Sequence, residues 1–250
     1  MAEVRERLLV TVRTYPNPSR LHTELVCTGG ITEQCEWRRL YPVPLRYLDE
    51  KQQYRTYDVI DVHVKPGKDG RQESRTPDNK TIKIIKHLDG WDSRCAWVNP
   101  TILPSLKKLQ AANRTLGPVA VREVLEFVAK PVSAEWSPAQ QEKLKQNLLY
   151  DEKKPLEKIP FEFRLRWRDR DDDEHNSLVI AWEFGQTWRN YRRKYDKPVE
   201  EMRRKWLNDI CGPGRTISFF MGNMARFPRT FMVCGIFCPP KEIAESGKLW

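Results

Sequence analysis

Residues 23–43, "TELVCTGGITEQCEWRRLYPV", decide the fold of the first half of the chain. An apolar stretch, the polar turn "TEQCE" and a second stretch "WRRLYPV" make the pattern of a β-hairpin. Gly29 and Gly30 lie inside the first stretch, where glycine indicates a bulge or a sharp bend of the kind that small barrels need at their corners. The sequence therefore predicts a hairpin in a small, strongly curved sheet.

Alternating apolar and polar residues on both sides of this hairpin predict further strands. They are "RLLVTVRTY", "TYDVIDVHVKP", "KTIKIIKHL", "IPFEFRLRWRD", "SLVIAWEFG", "TISFFMGNM" and "RTFMVCGIF". "REVLEFVAKPV" is ambiguous, and we favour a strand around residues 125–129. Residues 66–79, "PGKDGRQESRTPDN", are predicted to form a polar loop because glycine, proline and charged residues dominate them.

Four stretches predict short helices: "LPSLKKLQAAN", "WSPAQQEKLKQNLLY", "QTWRNYRRKYD" and "KPVEEMRRKWLNDICG". In the second of these, Ser137 is the N-cap, Pro138 the first helical residue and Gln140 the capping-box partner, while Leu144 and Leu148 share a face. The expected fold class is mainly β with short helices, an α+β protein with two small β-barrels of about five strands each. We place the first domain at residues 1–132 and the second, with helical insertions, at residues 133–250.

Composition limits the classes of function. The net charge is +10 and the pI about 9.3, which favours a polyanionic partner, nucleic acid before an anionic membrane. The N-terminal stretch has charges where an export signal needs an apolar core, and no apolar run is long enough to cross a membrane. We therefore expect a cytoplasmic protein with no membrane span.

Six cysteines are expected to be reduced thiols. Cys234 and Cys238 lie four residues apart on a predicted strand, or about 13 Å, too far for both to ligate one zinc ion. Cys27 and Cys35 could meet across the hairpin, but no second pair has suitable spacing. We expect neither a metal nor a cofactor.

Three stretches combine cations with aromatic rings. In residues 36–48, "EWRRLYPVPLRYL", a buried Leu40 would put Trp37, Arg39 and Tyr41 on the outer face, where rings stack on bases and arginines pair with phosphates. The opposite assignment buries Trp37 and Tyr41, the commoner arrangement for tryptophan, and both stay open. Residues 188–195, "WRNYRRKY", contain four cations and no acid, and are either a phosphate-tracking patch or an amphipathic helix with packed rings.

The third stretch alternates Arg164, Arg166 and Arg168 along a strand, facing either two phosphates or neighbouring glutamates such as Glu162 and Glu183. Together the three stretches give the predicted nucleic-acid-binding residues. These are Trp37, Arg38, Arg39, Tyr41, Arg164, Arg166, Arg168, Trp188, Arg189, Tyr191, Arg192, Arg193 and Lys194.

The opening of the chain resembles the dual OB-containing domain family of bacterial proteins. The resemblance rests on Cys27, Gly30, Ile31, Trp37, Arg39 and Leu40, within about 40 residues, and "PFEFRLRWRD" would fall in the second barrel. It implies two OB-like barrels, nucleic-acid binding and a setting in mobile elements or antiviral defence, with no known reaction. The chain departs from the family in the loop "YPNPSRLH" and the extension "LYPVPLRYL".

These observations favour a binding module for DNA or RNA, single-stranded or distorted, with a protein partner in a multi-component system as an option. One rival is a metal-dependent nuclease centred on Asp61 and Lys65, which share a strand face with His63. The other is a structural subunit whose basic face docks an acidic protein. The acidic cluster "DRDDDEH", residues 169–175, is expected to be a solvated hairpin turn rather than a cation site.

Overall fold

The computed structural model describes residues 3–19, 23–147 and 153–246. Strands hold 44% of the residues and helices 26%, which confirms a mainly β protein with short helices. The strands are β1 (Val4–Arg13), β2 (Asn17–Pro18), β3 (Glu24–Thr32), β4 (Trp37–Val43), β5 (Asp58–Pro66), β6 (Ser74–Pro77), β7 (Lys83–His87), β8 (Leu116–Pro131), β9 (Phe161–Asp169), β10 (Glu174–Leu178), β11 (Ile217–Met224) and β12 (Phe227–Phe237).

The α-helices are α1 (Trp91–Val98), α2 (Leu106–Ala111), α3 (Pro138–Asn147), α4 (Trp182–Tyr191), α5 (Pro198–Arg204) and α6 (Lys241–Ser246). A π-helical segment, Lys205–Ile210, continues α5. Single 3₁₀ turns lie at Leu45–Tyr47, Glu50–Gln52, Asn79–Thr81 and Asn99–Thr101.

The first sheet closes on itself. Its order is β1-β3-β4-β6-β5, and β5 pairs back onto β1, while β7 extends the sheet beside β5 and β2 pairs with β3. All these contacts are antiparallel except the one between β4 and β6. Apolar side chains from every long strand of the barrel, Leu8, Leu40 and Ile60 among them, fill its interior.

The predicted bulge lies on β1, opposite the two glycines. Val10 pairs with Gly30 and Val12 with Gly29, so Thr11 is the additional residue. A Cβ at position 30 would lie 2.8 Å from the carbonyl oxygen of Leu9, which explains why this close approach uses glycine. The bulge that the sequence indicates therefore lies in β1, and the glycines of β3 leave room for it.

The second sheet has the order β10-β9-β8-β11-β12 and is curled into a half-barrel. On β9 the predicted alternation is confirmed, because Phe163, Leu165 and Trp167 are buried in its core. Helices α4 and α5 and the π-helical segment cover this core, and the rings of Phe184 and Trp206 stack at 3.8 Å.

Two elements differ from the sequence-based expectation. The stretch "SLVIAWEFG" is a strand only to Leu178, and α4 starts at Trp182 after an extended Ala181. The predicted polar loop, residues 66–79, contains the short strand β6. A strand is compatible with this sequence because β6 pairs with β4 over only two residues and ends at Pro77. In both places tertiary pairing outweighs the local pattern.

The predicted start of α3 is confirmed: the Ser137 N–H donates to Oε1 of Gln140 at 3.1 Å, and Leu144 is buried. The expected role of Leu148 falls outside the described residues. The six cysteines are free thiols. Among the residues described, no helix has both the length and the apolarity needed to cross a bilayer.

The two sheets share a third apolar cluster. Trp37 and Ile31 of the first sheet pack there with Leu116, Phe220 and Phe237 of the second half. The backbone also joins the sheets, since the Tyr15 N–H donates to the carbonyl of Ile180 at 2.8 Å. The changeover between the sheets lies between His87 and Leu116, whereas the boundary expected from the sequence follows residue 132, at the end of β8.

Candidate functional site: a groove between the two sheets

Both faces of β4 are covered along most of its length. Leu40 points into the closed first sheet and is fully buried, while Trp37, 5% exposed, packs on Phe220 of the second sheet at 5.5 Å between ring centroids. Arg39 shares the outer face with Trp37 and is only 6% exposed. Tyr41, with 51% of its surface exposed, is the ring of this stretch that remains open to a ligand.

Arg38 is neutralised locally. Its guanidinium pairs with Glu6 at 2.9 Å and with Glu36. Of the four predicted residues on β4, Trp37 is therefore not available for base stacking in this arrangement, and Arg38 already has two carboxylate partners.

In residues 188–195 the tryptophan is also buried. Trp188 is 7% exposed and packs edge-on against Phe161 at 4.8 Å. Arg189 and Arg192 both pair with Glu157. Tyr191 is partly buried against Tyr195. This arrangement matches the amphipathic-helix alternative, with two of its four cations paired.

Arg193 and Lys194 are exposed like Arg192, but they have no salt bridge among the described residues. The Lys194 ammonium lies 5.3 Å from the centroid of the Tyr195 ring, a cation–π contact at the end of α4. They retain the free charge on which a phosphate contact depends.

Two of the three arginines on β9, Arg166 and Arg168, face carboxylates other than those expected. Arg166 bonds Glu126 at 3.0 Å and Glu174 at 2.8 Å, and Arg168 lies 3.7 Å from Glu174. Arg164 instead donates to the side chain of Asn176. This face of β9 is therefore mostly charge-compensated. The thirteen predicted residues lie on three separate elements: β4, β9 and the C-terminal end of α4 with the turn after it.

Asp61, the centre of the nuclease alternative, is 3% exposed and already bonded through both oxygens. Arg7 donates to Oδ1 at 2.8 Å, and Arg5 donates to Oδ2. Hydrogen bonds from Arg7, together with those from Arg5, lower the pKa of this carboxyl despite its burial. His63 and Lys65 are exposed farther along the strand. The carboxylate would have to release both arginines to take a metal ion.

The acidic turn "DRDDDEH" forms around one buried carboxylate. Asp169 accepts hydrogen bonds from the N–H groups of Asp171 and Asp173 and from His175. Across the described ranges, no three His, Cys, Asp or Glu side chains are grouped in a way that could hold a metal ion.

The feature that the two sheets create together is a groove of about 420 Å³. One wall comes from β3, β4 and the segment around β2, and the other from β10, β11 and β12. Its lining is mostly apolar, with Arg39 and Arg71 as its charged residues and no carboxylate. Tyr41 and Met224 stand at the groove and are both about half exposed.

The tip of the β11–β12 hairpin carries cations beside this groove. Phe227 pairs in register with Met224, is 45% exposed and has the Arg226 guanidinium 4.8 Å from its ring centroid. Arg229 is exposed two residues farther on. No salt bridge to Arg226 or Arg229 is present among the described residues. These two arginines therefore offer uncompensated charge, and Arg226 does so next to the exposed ring of Phe227.

Arg71 connects the hairpin to the first sheet. It pairs with Asp69, which lies on the same loop between β5 and β6, and donates to the backbone carbonyl of Asn223 at 2.9 Å. The loop and the hairpin are thereby held at the same end of the groove.

A second pocket, of about 560 Å³, has a different character. Arg38, Arg75 and Arg114 line it together with Glu36 and Glu73. Arg38 and Arg75 both pair with Glu6, so much of the positive charge of this pocket is neutralised. We therefore expect it to attract a polyanion less strongly than the groove does.

Of the residues at the groove and the hairpin beside it, the sequence-based prediction includes Arg39 and Tyr41 and leaves out Arg226, Phe227 and Arg229. A signal was present: residues 210–241 contain no aspartate or glutamate, in a chain with 34 such residues. The sequence pattern predicts two strands in this stretch, and strand periodicity does not describe the short connection "ARFP" between them.

The fold and the groove define a class: a mainly β protein of two adjacent barrel-like domains with a ligand-sized groove between them. The chain belongs to the family described as Domain of unknown function (DUF8757), whose model matches residues 102–249. The model described as Domain of unknown function (DUF8758) matches residues 4–100. The two matches adjoin and agree with a two-domain architecture. A search of curated proteins found no match.

Proposed function

We propose that this protein binds single-stranded or distorted nucleic acid along the groove between its two sheets. The observation that carries the proposal is that the exposed ring of Tyr41 lines the same groove as Met224 and Ala225, on a hairpin whose Arg226 and Arg229 have no salt bridge among the described residues. Rings that stack on bases next to cations that meet phosphates are the elements of sequence-tolerant single-strand binding.

Strand order supports this choice of surface. The five barrel strands, counted along the chain, are arranged first-second-third-fifth-fourth and back to the first, with the third and fifth parallel. An OB barrel binds oligonucleotides through its second and third strands and the loops after its first and fourth strands, and we propose that this barrel does the same. The groove is lined by these parts: β3, β4, the segment with Asn17 and Pro18, and Arg71.

Charge supports the same surface. A polyanion approaching a protein of net charge +10 is attracted in general, but it is held where cations lack carboxylate partners. The hairpin tip meets this condition better than Arg166 of β9 or Arg189 and Arg192, whose guanidinium groups are paired with carboxylates. As the resemblance implies, such a module would act within a bacterial defence or mobile-element system and bring nucleic acid to a protein partner.

The test is fluorescence anisotropy with labelled 20-nucleotide single-stranded DNA, single-stranded RNA and duplex, at 50 and 200 mM salt. With about four phosphate contacts, single-strand affinity should fall about fifty-fold between these salt concentrations. Arg226→Glu combined with Arg229→Glu should weaken binding and reduce the slope of log K against log salt by about 1.4.

The matched control is Arg192→Glu with Arg193→Glu, which changes the net charge by the same amount at the end of α4. A larger loss in this control would move the contact to residues 188–195, as the sequence predicts. The absence of any binding at 50 mM salt would refute the proposed function.

A further inference from the structure

The floor of the groove contains an arginine whose hydrogen-bonding capacity is partly unused. Nη2 of Arg39 donates to the backbone carbonyl of Thr115 at 2.9 Å, and Glu73 lies 3.8 Å away. Nη1 reaches only the thiol of Cys27, at 3.8 Å, and Nε has no partner within the described residues. Buried donors are normally bonded, and an unmatched donor is destabilising.

The walls around this guanidinium suit a flat, apolar-faced ligand. Val12, Leu25, Leu116, Leu178 and Ile180 line the groove, and its volume lies within the range of small-ligand sites. No aspartate or glutamate belongs to this lining, so a cationic ligand would find no counter-charge there. The groove therefore combines apolar walls with an arginine whose Nη1 has, in the part of the chain described, only the weak acceptor Cys27 Sγ as its partner.

A nucleobase has this combination of properties. Its faces are apolar enough to lie against aliphatic side chains, and its edge carries carbonyl oxygens and ring nitrogens. Guanine presents two neighbouring acceptors, O6 and N7, which are the usual partners of an arginine. Adenine places an amino donor beside its N7, where it would oppose the arginine donors.

We propose that the floor of the groove takes one unstacked base of the bound strand, guanine in preference to adenine, with Arg39 donating to its acceptor edge. This inference rests on the proposed function, because the strand must first lie along the groove. Tyr41 at the mouth then contacts the next base, and the hairpin arginines hold phosphates outside.

Cys27 provides a direct test with the native protein. Its thiol lines the groove next to Arg39 and is partly exposed, whereas Cys35, at the tip of the β3–β4 hairpin, is exposed and outside the groove lining. The rate of N-ethylmaleimide alkylation at each cysteine is measured by tandem mass spectrometry. Cys35 serves as the internal control for reagent and folding.

The ligands are thymidine 12-mers with a central guanine, a central adenine or a central abasic site, each at a concentration that saturates anisotropy, and guanosine monophosphate at millimolar concentration. The guanine 12-mer should slow Cys27 alkylation at least tenfold, adenine less, and the abasic strand little. The mononucleotide should protect Cys27 more weakly than the guanine 12-mer. Cys35 should react at an unchanged rate throughout.

The outcomes separate the two proposals. If the guanine and abasic 12-mers both bind but leave Cys27 equally reactive, the base pocket is refuted and the proposed function stands. If no 12-mer binds, both fail, and protection by the mononucleotide alone would mean a site for free nucleotides.

A variant tests the donor role of Arg39. Arg39→Lys keeps the charge but loses the planar set of donors, so the ratio of guanine to adenine affinity should fall at least fivefold. Circular dichroism checks that the variant folds, and if it does not, the alkylation result on the native protein decides. An unchanged ratio in a folded variant would remove Arg39 from base recognition.

Discussion

Asp61 is held on β5 by charges from a neighbouring strand. Arg5 and Arg7 both lie on β1, which pairs with β5 so that Arg7 is opposite Asp61. Their hydrogen bonds, Arg7's first, lower the pKa of Asp61 below its ordinary value of 3.8. The carboxylate is buried while its partners are half exposed, so the interaction is stronger than an ordinary surface ion pair.

We predict that Asp61→Asn lowers the free energy of unfolding at pH 7 by about 1–3 kcal/mol, because charged hydrogen bonds are lost. A carboxyl with a lowered folded-state pKa stabilises above the pKa of the unfolded chain, and this contribution disappears as pH falls through the folded-state value. The difference between variant and wild type should therefore shrink below about pH 4. Urea denaturation at pH 7 and pH 3 measures it.

Glu126→Gln is the control at this scale, since it removes an exposed partner of Arg166 and should change stability by less than about 1 kcal/mol. A difference for Asp61→Asn that is constant with pH would mean that its ionisation is not the source of the stability.

At the residue scale the sequence indicated candidate residues better than it indicated the partners of their side chains. It singled out Tyr41 and Asp61, but the partners Arg5 and Arg7 come from a strand more than fifty positions away in sequence. Thr115, whose carbonyl accepts a hydrogen bond from Arg39, is farther still in sequence. Such contacts depend on strand order, and no local pattern contains them.

Among the elements, strand periodicity was informative where one face of a strand meets solvent. On β9 the alternation gave the buried set Phe163, Leu165 and Trp167 correctly. On β4 it left two assignments open, because period two defines two faces but does not say that a second sheet covers the outer one. Trp37 and Arg39 are buried by that second layer.

Helix α4 packs against the first domain through a glycine. A Cβ at Gly185 would overlap the ring of Tyr15, which follows β1 and donates its hydroxyl to the carbonyl of Glu157. The helix can approach the first domain this closely because position 185 has no side chain.

We predict that Gly185→Ala destabilises the protein by about 1–3 kcal/mol through overpacking, although alanine is the better helix former. Thermal unfolding followed by circular dichroism measures the loss. Gly214→Ala, where a Cβ meets nothing within 4 Å, should leave the midpoint nearly unchanged. Equal effects of the two substitutions would contradict the proposed contact.

In the whole molecule, the cluster shared by the sheets joins the two family segments. Trp37 lies in the segment at residues 4–100 and Phe220 in the segment at residues 102–249, and their rings are in contact. The hydrogen bonds from Tyr15 to Ile180 and from Arg71 to Asn223 cross the same boundary. We therefore expect the two domains to unfold as one unit.

Phe220→Ala should lower the free energy of unfolding by about 3–5 kcal/mol, because a fully buried ring is removed from this shared cluster. Tryptophan fluorescence and far-ultraviolet circular dichroism should still report coincident transitions. Phe227→Ala, at the exposed hairpin tip, is the matched control and should change stability little. Two separate transitions in the wild type would show that the domains unfold independently.

Composition predicted the sign of the surface charge but not its distribution. The net charge of +10 includes guanidinium groups already paired with Glu6, Glu157 and Glu174, and it does not reveal which cations remain free. The groove forms where the two sheets meet, so it could not be predicted from either half of the sequence alone. The mainly β class and two small barrel-like domains were predictable from the sequence, whereas the groove between the two sheets was not.

The contact between Trp37 and Phe220 also has an evolutionary consequence. A change of ring size on one side alters the space available on the other, so we expect substitutions at the two positions to be selected together. A lineage that exchanged one segment for a distant copy would then have to restore this contact.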